Sequence, residues 1–211
     1  MVFLTPAGLH FILFLGSVRE NRNAERVKKY LTNFIAKHNV SVEIFDPVEM
    51  AVYNYTKVVT PLHYYPKQED APQHLLDNNA RIKKADGFII VTPEYHSAVA
   101  PALSTLMDQF PGLSYAYRPA AIVSYSKGRF GGIRASTQLR TFLSELGMIH
   151  IPSVLAIAKV ENTITPDGQT KDDTVLASTA AVVEELIWFA TTVKEYSKVK
   201  ELLYKGKKWI L

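Results

Sequence analysis

The sequence predicts an α/β fold built on a five-stranded parallel sheet with helices on both faces. Short strand-like apolar runs recur along the chain, and several are continuously apolar, as expected for strands that are covered on both faces. Segments with helical periodicity separate these runs, and this alternation favours parallel strands joined by right-handed crossovers. The predicted strands are residues 10–15, 40–45, 87–92, 120–125 and 149–156.

Apolar residues spaced three and four positions apart identify the helices. After the first strand they form one stripe: Val27, Tyr30, Leu31, Phe34 and Ile35. The second helix, residues 72–85, has the weakest stripe, and the third has Pro101 near its start, where a missing N–H costs nothing. Gly147 stands at the expected C-terminal cap of the fourth helix, and the fifth and longest is predicted over residues 173–196.

The composition predicts a single globular domain over residues 1–211. A chain of 211 residues, 47% of them hydrophobic, can bury a substantial core, and we find no internal repeat or linker. The net charge of +4 is small, and part of it lies in a lysine-rich C-terminal extension from about residue 195. The remaining body is close to neutral, which gives nucleic-acid binding little support.

The chain contains no cysteine, which excludes disulfides, thiolate metal sites and cysteine nucleophiles and fits a reducing compartment. The opening segment MVFLTPAGLHFILFLG lacks a basic start and a small-residue cleavage site, so we do not expect a signal peptide. No run approaches the roughly 18 apolar residues that a membrane span needs. These features predict a cytoplasmic protein without a membrane span.

One connection, residues 47–71, is unusually long for a compact domain and is rich in proline and tyrosine. Structureless connections of this length usually have a function or cover a partner. We therefore expect this segment to contribute to a functional surface.

Ligands of open α/β sheets bind beyond the carboxyl ends of the strands, so the loops after strands one, three and four are the informative ones. They are loop 1 (GSVRENRN, 16–23), loop 2 (TPEYHSAVAP, 92–101) and loop 3 (SYSKGRFGG, 124–132). Loop 1 has the chemistry of an anion site, because Gly16 permits a tight turn and the next helix directs free N–H groups outward. Ser17, Arg19 and Asn23 can add side-chain donors. The alternative is an ordinary turn in which Asn23 caps the helix.

Loops 2 and 3 have the features of a site for a planar ligand. In loop 2, an aromatic ring and several backbone amides follow a buried strand: Pro93, Glu94, Tyr95 and His96. Each side chain also has an ordinary interpretation, with Tyr95 packed, His96 at the surface and Glu94 solvated. Loop 3 has three glycines within five positions, which either permit close approach of the backbone to a ligand or form a flexible turn.

Two common nucleotide-binding motifs are missing from the sequence. Neither G-x-G-x-x-G nor G-x-x-x-x-G-K-[ST] occurs, which disfavours a tightly held adenine dinucleotide and excludes a P-loop NTPase. The six histidines are scattered and no carboxylate pair stands out. We therefore predict neither a metal site nor a catalytic acid–base pair.

Three motifs in the correct order resemble the NADPH-dependent FMN reductases of flavodoxin-like fold. They are G-S-x-R in loop 1, P-E-Y in loop 2 and S-Y-x-x-G-x-x-G-G-x-R-A, which runs from loop 3 into the fourth helix. The resemblance covers roughly residues 9–157. It implies an enzyme that uses FMN to transfer a hydride from NADPH or NADH to a small acceptor such as a quinone, an azo compound or free flavin.

The resemblance also implies a cofactor site and an assembly. It assigns ten residues to FMN: Ser17, Arg19 and Asn23 at the phosphate, Pro93, Glu94, Tyr95 and His96 along the isoalloxazine, and Ser124, Tyr125 and Ser126 at its other edge. No catalytic side chain is implied, because the flavin carries the chemistry. A homodimer or homotetramer is implied, in which a neighbouring subunit helps to enclose the flavin.

The chain departs from the family pattern in loop 2, where His96 and Ser97 stand in place of the usual Asn-Gly. Two other functions fit the same residues. One is a flavodoxin-type electron carrier, which binds FMN without oxidising pyridine nucleotides, and the other is a non-enzymatic FMN-binding or docking protein. Such carriers tend to be strongly acidic, whereas this chain is basic, so the sequence favours the enzyme.

Overall fold

The structure is a computed structural model that describes residues 8–50 and 60–200. Within these residues, six strands form one sheet: β1 (Leu9–Leu15), β2 (Val40–Phe45), β3 (Gly87–Tyr95), β4 (Ala98–Val99), β5 (Pro119–Tyr125) and β6 (Ile149–Ile157). Five of them pair in parallel, and the short β4 pairs antiparallel with the end of β3. The predicted five-stranded parallel sheet is confirmed.

The helices alternate with the strands. They are α1 (Ala24–Ile35), α2 (Gln73–Lys84), α3 (Pro101–Asp108), α4 (Ile133–Glu145), α5 (Val160–Thr163) and α6 (Asp173–Val199). Three 3₁₀ turns lie at Leu62–Tyr64, Gln68–Asp70 and Gly112–Ser114. The longest helix, α6, begins where the Asp172 side chain accepts hydrogen bonds from the N–H groups of Thr174 and Val175, which satisfies two of the free donors of its first turn.

The strand order is β2-β1-β3-β5-β6. The chain moves outward from β1 to β2, then returns to the other side of β1 to form β3. The order therefore reverses between β1 and β3, which is the switch point of the flavodoxin-like arrangement and the place where such sheets bind ligands.

Two hydrophobic cores cover the two faces of the sheet. Alternate residues of β1 point to opposite faces, so Phe11 and Leu13 pack with α1 and α6, whereas Ile12 and Phe14 pack with α2, α3 and α4. All four side chains have no exposed surface. The predicted placement of helices on both faces is thus confirmed.

The observed elements differ from the predicted ones mainly at their ends. The third strand continues beyond residue 92 to Tyr95 and turns back as β4, and α5 was not predicted. The turn between β3 and β4 consists of His96 and Ser97, both with positive φ (52° and 63°). Such turns normally use asparagine and glycine, so His96 and Ser97 do not signal a hairpin in the sequence.

The long connection at residues 47–71 lies partly outside the described residues. In its described part, Leu62 is buried in the core beneath α2 and α3, and its N–H donates to the carbonyl of Gln109 at 2.9 Å. This part of the connection therefore packs onto the domain. Residues beyond 200, which include most of the predicted lysine-rich extension, are also outside the described part.

Among the described helices, α6 alone is long and apolar enough to meet the criteria for a membrane span. Length and composition are weak criteria, since the core helix of a soluble protein also meets them. One side of α6 packs on the sheet through Val182, Val183 and Leu186, each at most 4% exposed.

Candidate functional site

The three loops meet in one cleft of about 460 Å³ at the carboxyl edge of the sheet. Eight of the ten predicted site residues line it: Ser17, Arg19, Asn23, Pro93, Glu94, Tyr95, Tyr125 and Ser126. The other two, His96 and Ser124, do not line it. The cleft is also lined by residues outside the ten assigned to FMN: Glu20, Asn21, Arg22, Lys127, Gly128, Phe130 and Arg134.

The sheet register brings the loops together. Leu15 of β1 pairs with Val91 of β3, and Pro93 of β3 pairs with Tyr125 of β5, so all three loops leave the same edge. Gly16 makes the close approach of loop 1 possible, because a Cβ at this position would lie 3.0 Å from the carbonyl oxygen of Val91. A larger residue would push loop 1 away from β3.

Loop 1 contacts loop 2 through Ser17 and Arg19. The hydroxyl of Ser17, which is 1% exposed, lies 2.7 Å from the hydroxyl of Tyr95. The guanidinium of Arg19 stacks on the Tyr95 ring, 3.7 Å from its centroid. Among the described residues, no carboxylate pairs with Arg19, so its charge faces the cleft without a counter-ion.

Asn23 immediately precedes α1, yet its side chain makes no capping hydrogen bond to that helix. Its amide instead donates to Glu161 at 3.1 Å. Glu161 also pairs with Lys127 of loop 3 at 2.7 Å, and hydrogen bonds from Lys127 and then Asn23 lower the pKa of Glu161. The alternative of Asn23 as a simple helix cap is therefore not what the structure shows, and Asn23 helps to join loop 1 to loop 3.

Arg22, which is not among the predicted site residues, anchors loop 1 from inside. It forms a forked ion pair with Asp46, directly after β2, and donates to the carbonyl of Ser17 and to Glu25. Burial by itself would lower the pKa of Arg22, but hydrogen bonds to Asp46 and Glu25 outweigh it and raise that pKa. A sequence signal existed, because an aspartate at the carboxyl end of a strand lies at the edge where the loops meet.

Glu94 is neither a free base nor a solvated carboxylate. Its carboxylate accepts hydrogen bonds from the backbone N–H of Arg134 at 3.0 Å and of Ala135 at 3.4 Å, in the first turn of α4. It also pairs with the Arg134 guanidinium at 2.8 Å. Glu94 thus caps α4 and fixes loop 2 to the start of that helix. His96, at the tip of the β3–β4 turn, is exposed.

Loop 3 is held against the sheet by its glycines and by Ser124. The Ser124 hydroxyl is fully buried, donates to the carbonyl of Gly131 at 2.8 Å and accepts from Ser136 at 2.8 Å. A Cβ on Gly131, whose φ is +60°, would lie 2.8 Å from the carbonyl carbon of Ala156. Ser124 and Gly131 therefore support loop 3 from beneath, and neither residue lines the cleft.

Aromatic rings form the remaining wall of the cleft. Tyr125 is 4% exposed, and burial raises the pKa of its phenol well above the ordinary 10.0, so it is a neutral hydrogen-bonding group at physiological pH. Phe130 is 48% exposed at the rim. The guanidinium groups of Arg129 and Arg134 each lie 4.7 Å from the centroid of its ring.

The chain belongs to the NADPH-dependent FMN reductase family, whose profile matches residues 9–162. It is 29% identical over 154 residues to the NADH:(hydroxy)cinnamate reductase subunit CrdA of Vibrio ruber, covering 71% of this chain and 76% of that protein. It is also 25% identical over 167 residues to an NADPH azoreductase of Bacillus sp. (strain OY1-2), covering 79% of this chain and 89% of that protein.

A similar solved structure is FerB of Paracoccus denitrificans, described as a flavoenzyme NAD(P)H:(acceptor) oxidoreductase. It superposes with a TM-score of 0.68 over 87% of this chain and 98% of that chain, at 20% sequence identity. At this level of identity the likeness shows the fold alone. The predicted flavodoxin-like fold is confirmed, and family membership identifies the protein as an NAD(P)H-dependent FMN oxidoreductase.

The residues of the cleft fit the chemistry of FMN. A phosphate needs cationic and hydrogen-bond donors, and Arg19, Ser17 and Asn23, which directly precedes α1, all line the cleft. A flat aromatic ring needs an apolar wall, and the rings of Tyr95, Tyr125 and Phe130 also line the cleft. The volume of about 460 Å³ is within the range of small-molecule and cofactor sites.

Proposed function

We propose that loop 1 holds the FMN phosphate and that loops 2 and 3 hold the isoalloxazine. The observation that carries this proposal is the meeting of the three loops in one cleft, where Arg19 of loop 1 has no carboxylate partner among the described residues. When bound, FMN supplies the ring that accepts a hydride from NAD(P)H and passes electrons to a small acceptor. Arg19 and Ser17 would bind the phosphate, and the backbone of loop 2 would orient the ring.

The acceptor that we propose is a small, flat and electron-poor molecule, such as a quinone, an azo compound or free flavin. Relatives named as azoreductases support this class. The exposed ring of Phe130 at the rim offers such a molecule an apolar surface beside the two guanidinium groups that flank it.

We also propose that the protein is cytoplasmic and forms a homodimer or homotetramer. Phe130 and Ile133 are 48% and 44% exposed beside the cleft, and exposed apolar groups next to a site are typical of surfaces that are covered by another molecule. Light scattering on the purified protein would measure the oligomeric state, and a monomer would contradict this part of the proposal.

The visible spectrum of the purified protein tests the proposed function. We expect a flavin absorbance that is bleached by NADPH under anaerobic conditions and that returns when menadione is added. A coloured protein that NADPH does not bleach would instead be an electron carrier or a non-enzymatic FMN-binding protein. A protein that stays colourless after incubation with FMN would contradict the cofactor site itself.

A further inference from the structure

Two arginines in loop 1 occupy very different environments. Arg19 lies on the Tyr95 ring and faces the cleft without a carboxylate partner among the described residues. The Arg22 side chain is only 8% exposed, and its partner Asp46 is completely buried. The two side chains are therefore suited to different tasks, although the sequence alone does not show which of them could bind a phosphate.

All five N–H groups of the Arg22 guanidinium are engaged. Nε and one N–H of Nη2 donate to Glu25, Nη1 and Nη2 donate to the two carboxylate oxygens of Asp46, and the second N–H of Nη1 donates to the carbonyl of Ser17. Arg22 could reach a phosphate only by breaking these bonds. Breaking a buried ion pair leaves an uncompensated charge and is strongly destabilising.

The same five bonds join three segments of the chain around the end of loop 1. Asp46 follows β2 and its carboxylate also accepts the N–H of Val48 at 2.9 Å, so its position is fixed by the backbone. Ser17 is the second residue of loop 1, and Glu25 lies in the first turn of α1. Arg22 thus fixes the positions of the Ser17 carbonyl and of the start of α1 relative to β2.

We propose that the Arg22–Asp46 pair is the positioning element of the FMN phosphate site, whereas Arg19 is the ligand. This inference rests on the proposed function, because it takes loop 1 as the phosphate end of the cleft. Its physical basis is that a phosphate site gains affinity when its donors are held in place before binding. Removing the pair should therefore weaken recognition of the phosphate and leave recognition of the ring largely unchanged.

The test compares FMN with riboflavin, which has the same ring and no phosphate. The full-length protein, freed of flavin, is titrated with each compound while flavin fluorescence is followed. For Asp46→Asn we expect the Kd for FMN to rise about tenfold and the Kd for riboflavin to change less than about twofold, since the lost order affects only the phosphate end. Arg22→Lys, which keeps the charge and loses the fork, should give a smaller change in the same direction.

The matched control is Glu43→Gln, on the same strand β2. Glu43 pairs with Arg81, and this ion pair is partly exposed and does not line the cleft. Neither Kd should change in this variant. Circular dichroism of each variant shows that the chains compared are folded, and because each ratio of Kd values comes from one sample, a reduced folded fraction does not alter it.

The experiment distinguishes a failure of the proposed phosphate site from a failure of the positioning role alone. If the wild-type protein binds FMN and riboflavin equally well, loop 1 is not a phosphate site and the proposed function fails with it. If the wild type prefers FMN and folded Asp46→Asn and Arg22→Lys keep the same preference, only the positioning role is overturned. A tighter binding of FMN by Asp46→Asn would also overturn it, because Arg22 would then be a ligand that Asp46 withholds.

Discussion

The guanidinium of Arg19 lies over the ring of Tyr95, 3.7 Å from its centroid. This contact joins a residue that follows β1 to the last residue of β3 and leaves the positive charge of Arg19 at the cleft. Stacking on an aromatic ring orients a planar guanidinium without consuming its N–H donors. The donors therefore remain available for an anion.

Replacing Arg19 by alanine should reduce the retention of FMN. We expect the Kd for FMN to rise at least about tenfold, because a charge-assisted fork to the phosphate is lost. The flavin-to-protein absorbance ratio after gel filtration measures this effect. Arg19→Lys keeps the charge but not the planar fork and should lie between the wild type and Arg19→Ala. Unchanged flavin content in Arg19→Ala would remove the role that we assign to Arg19.

Replacing Glu94 by glutamine should destabilise the protein by about 1 kcal/mol, since a negative charge at the N-terminus of a helix stabilises it by this order. The Glu94 side chain is 9% exposed and accepts two backbone N–H groups of α4. Denaturant unfolding gives the free-energy change. Arg134→Ala is the control, because it removes the ion pair and leaves the backbone donors. If Arg134→Ala lost as much stability as Glu94→Gln, the ion pair and not the contact with the helix terminus would be the source of the stabilisation.

The double change His96→Asn and Ser97→Gly should stabilise the protein by about 1 kcal/mol, because two side chains with positive φ are replaced by the residues that this turn favours. Both residues have positive φ in the structure, 52° and 63°. Thermal unfolding measures the gain as a rise in Tm. Ser104→Gly in α3 is the control and should have the opposite sign, since glycine weakens a helix. No rise in Tm for the double variant would contradict the strain inferred at this turn.

The free energy of unfolding should fall as the pH rises above 10. Burial raises the pKa of Tyr115 and of Tyr125 above the ordinary 10.0, so the folded state keeps protons that the unfolded state releases. The stabilisation is therefore complete below pH 10 and is lost as the pH rises further. Each such tyrosine contributes a slope of about 1.4 kcal/mol per pH unit in this range.

Urea unfolding at a series of pH values measures this slope. Tyr115 lies in the core beneath α3 and outside the cleft, so Tyr115→Phe should reduce the slope without changing the flavin site. Tyr115→Phe also loses the hydrogen bond from the phenol to the carbonyl of Met107 at 3.0 Å, which lowers stability by a constant amount at neutral pH. If Tyr115→Phe showed the same dependence of stability on pH, Tyr115 would not contribute to the loss of stability above pH 10.

Periodicity and composition were sufficient to predict the sheet and its helical layers. The continuous apolar run of β1 is removed from water only if both faces of the sheet are covered. In the structure, Ile12 and Leu13 lie in different cores. The order of strands along the chain then placed loops 1, 2 and 3 at one edge. Short-range features of this kind are encoded within a few residues of each other.

The roles of individual polar residues could not be predicted from periodicity and composition. Glu94 finds its partners in α4, forty and forty-one positions further along the chain, and Arg22 pairs with Asp46 at the end of the neighbouring strand β2. Asn23 stands at the N-cap position of α1, but its side chain donates to Glu161 and not to the helix. A polar side chain takes whichever partner lies within about 3 Å after folding, and sequence spacing does not report that distance.

The sequence alone thus determined the fold class, the family and the edge of the sheet at which the cleft would form, because these depend on the pattern of apolar residues and on local motifs. Only the tertiary structure decided which arginine of loop 1 keeps its donors open to the cleft and which has all of them bound in a buried ion pair. That choice depends on the position of Asp46, which the parallel pairing of β2 with β1 carries to the base of loop 1.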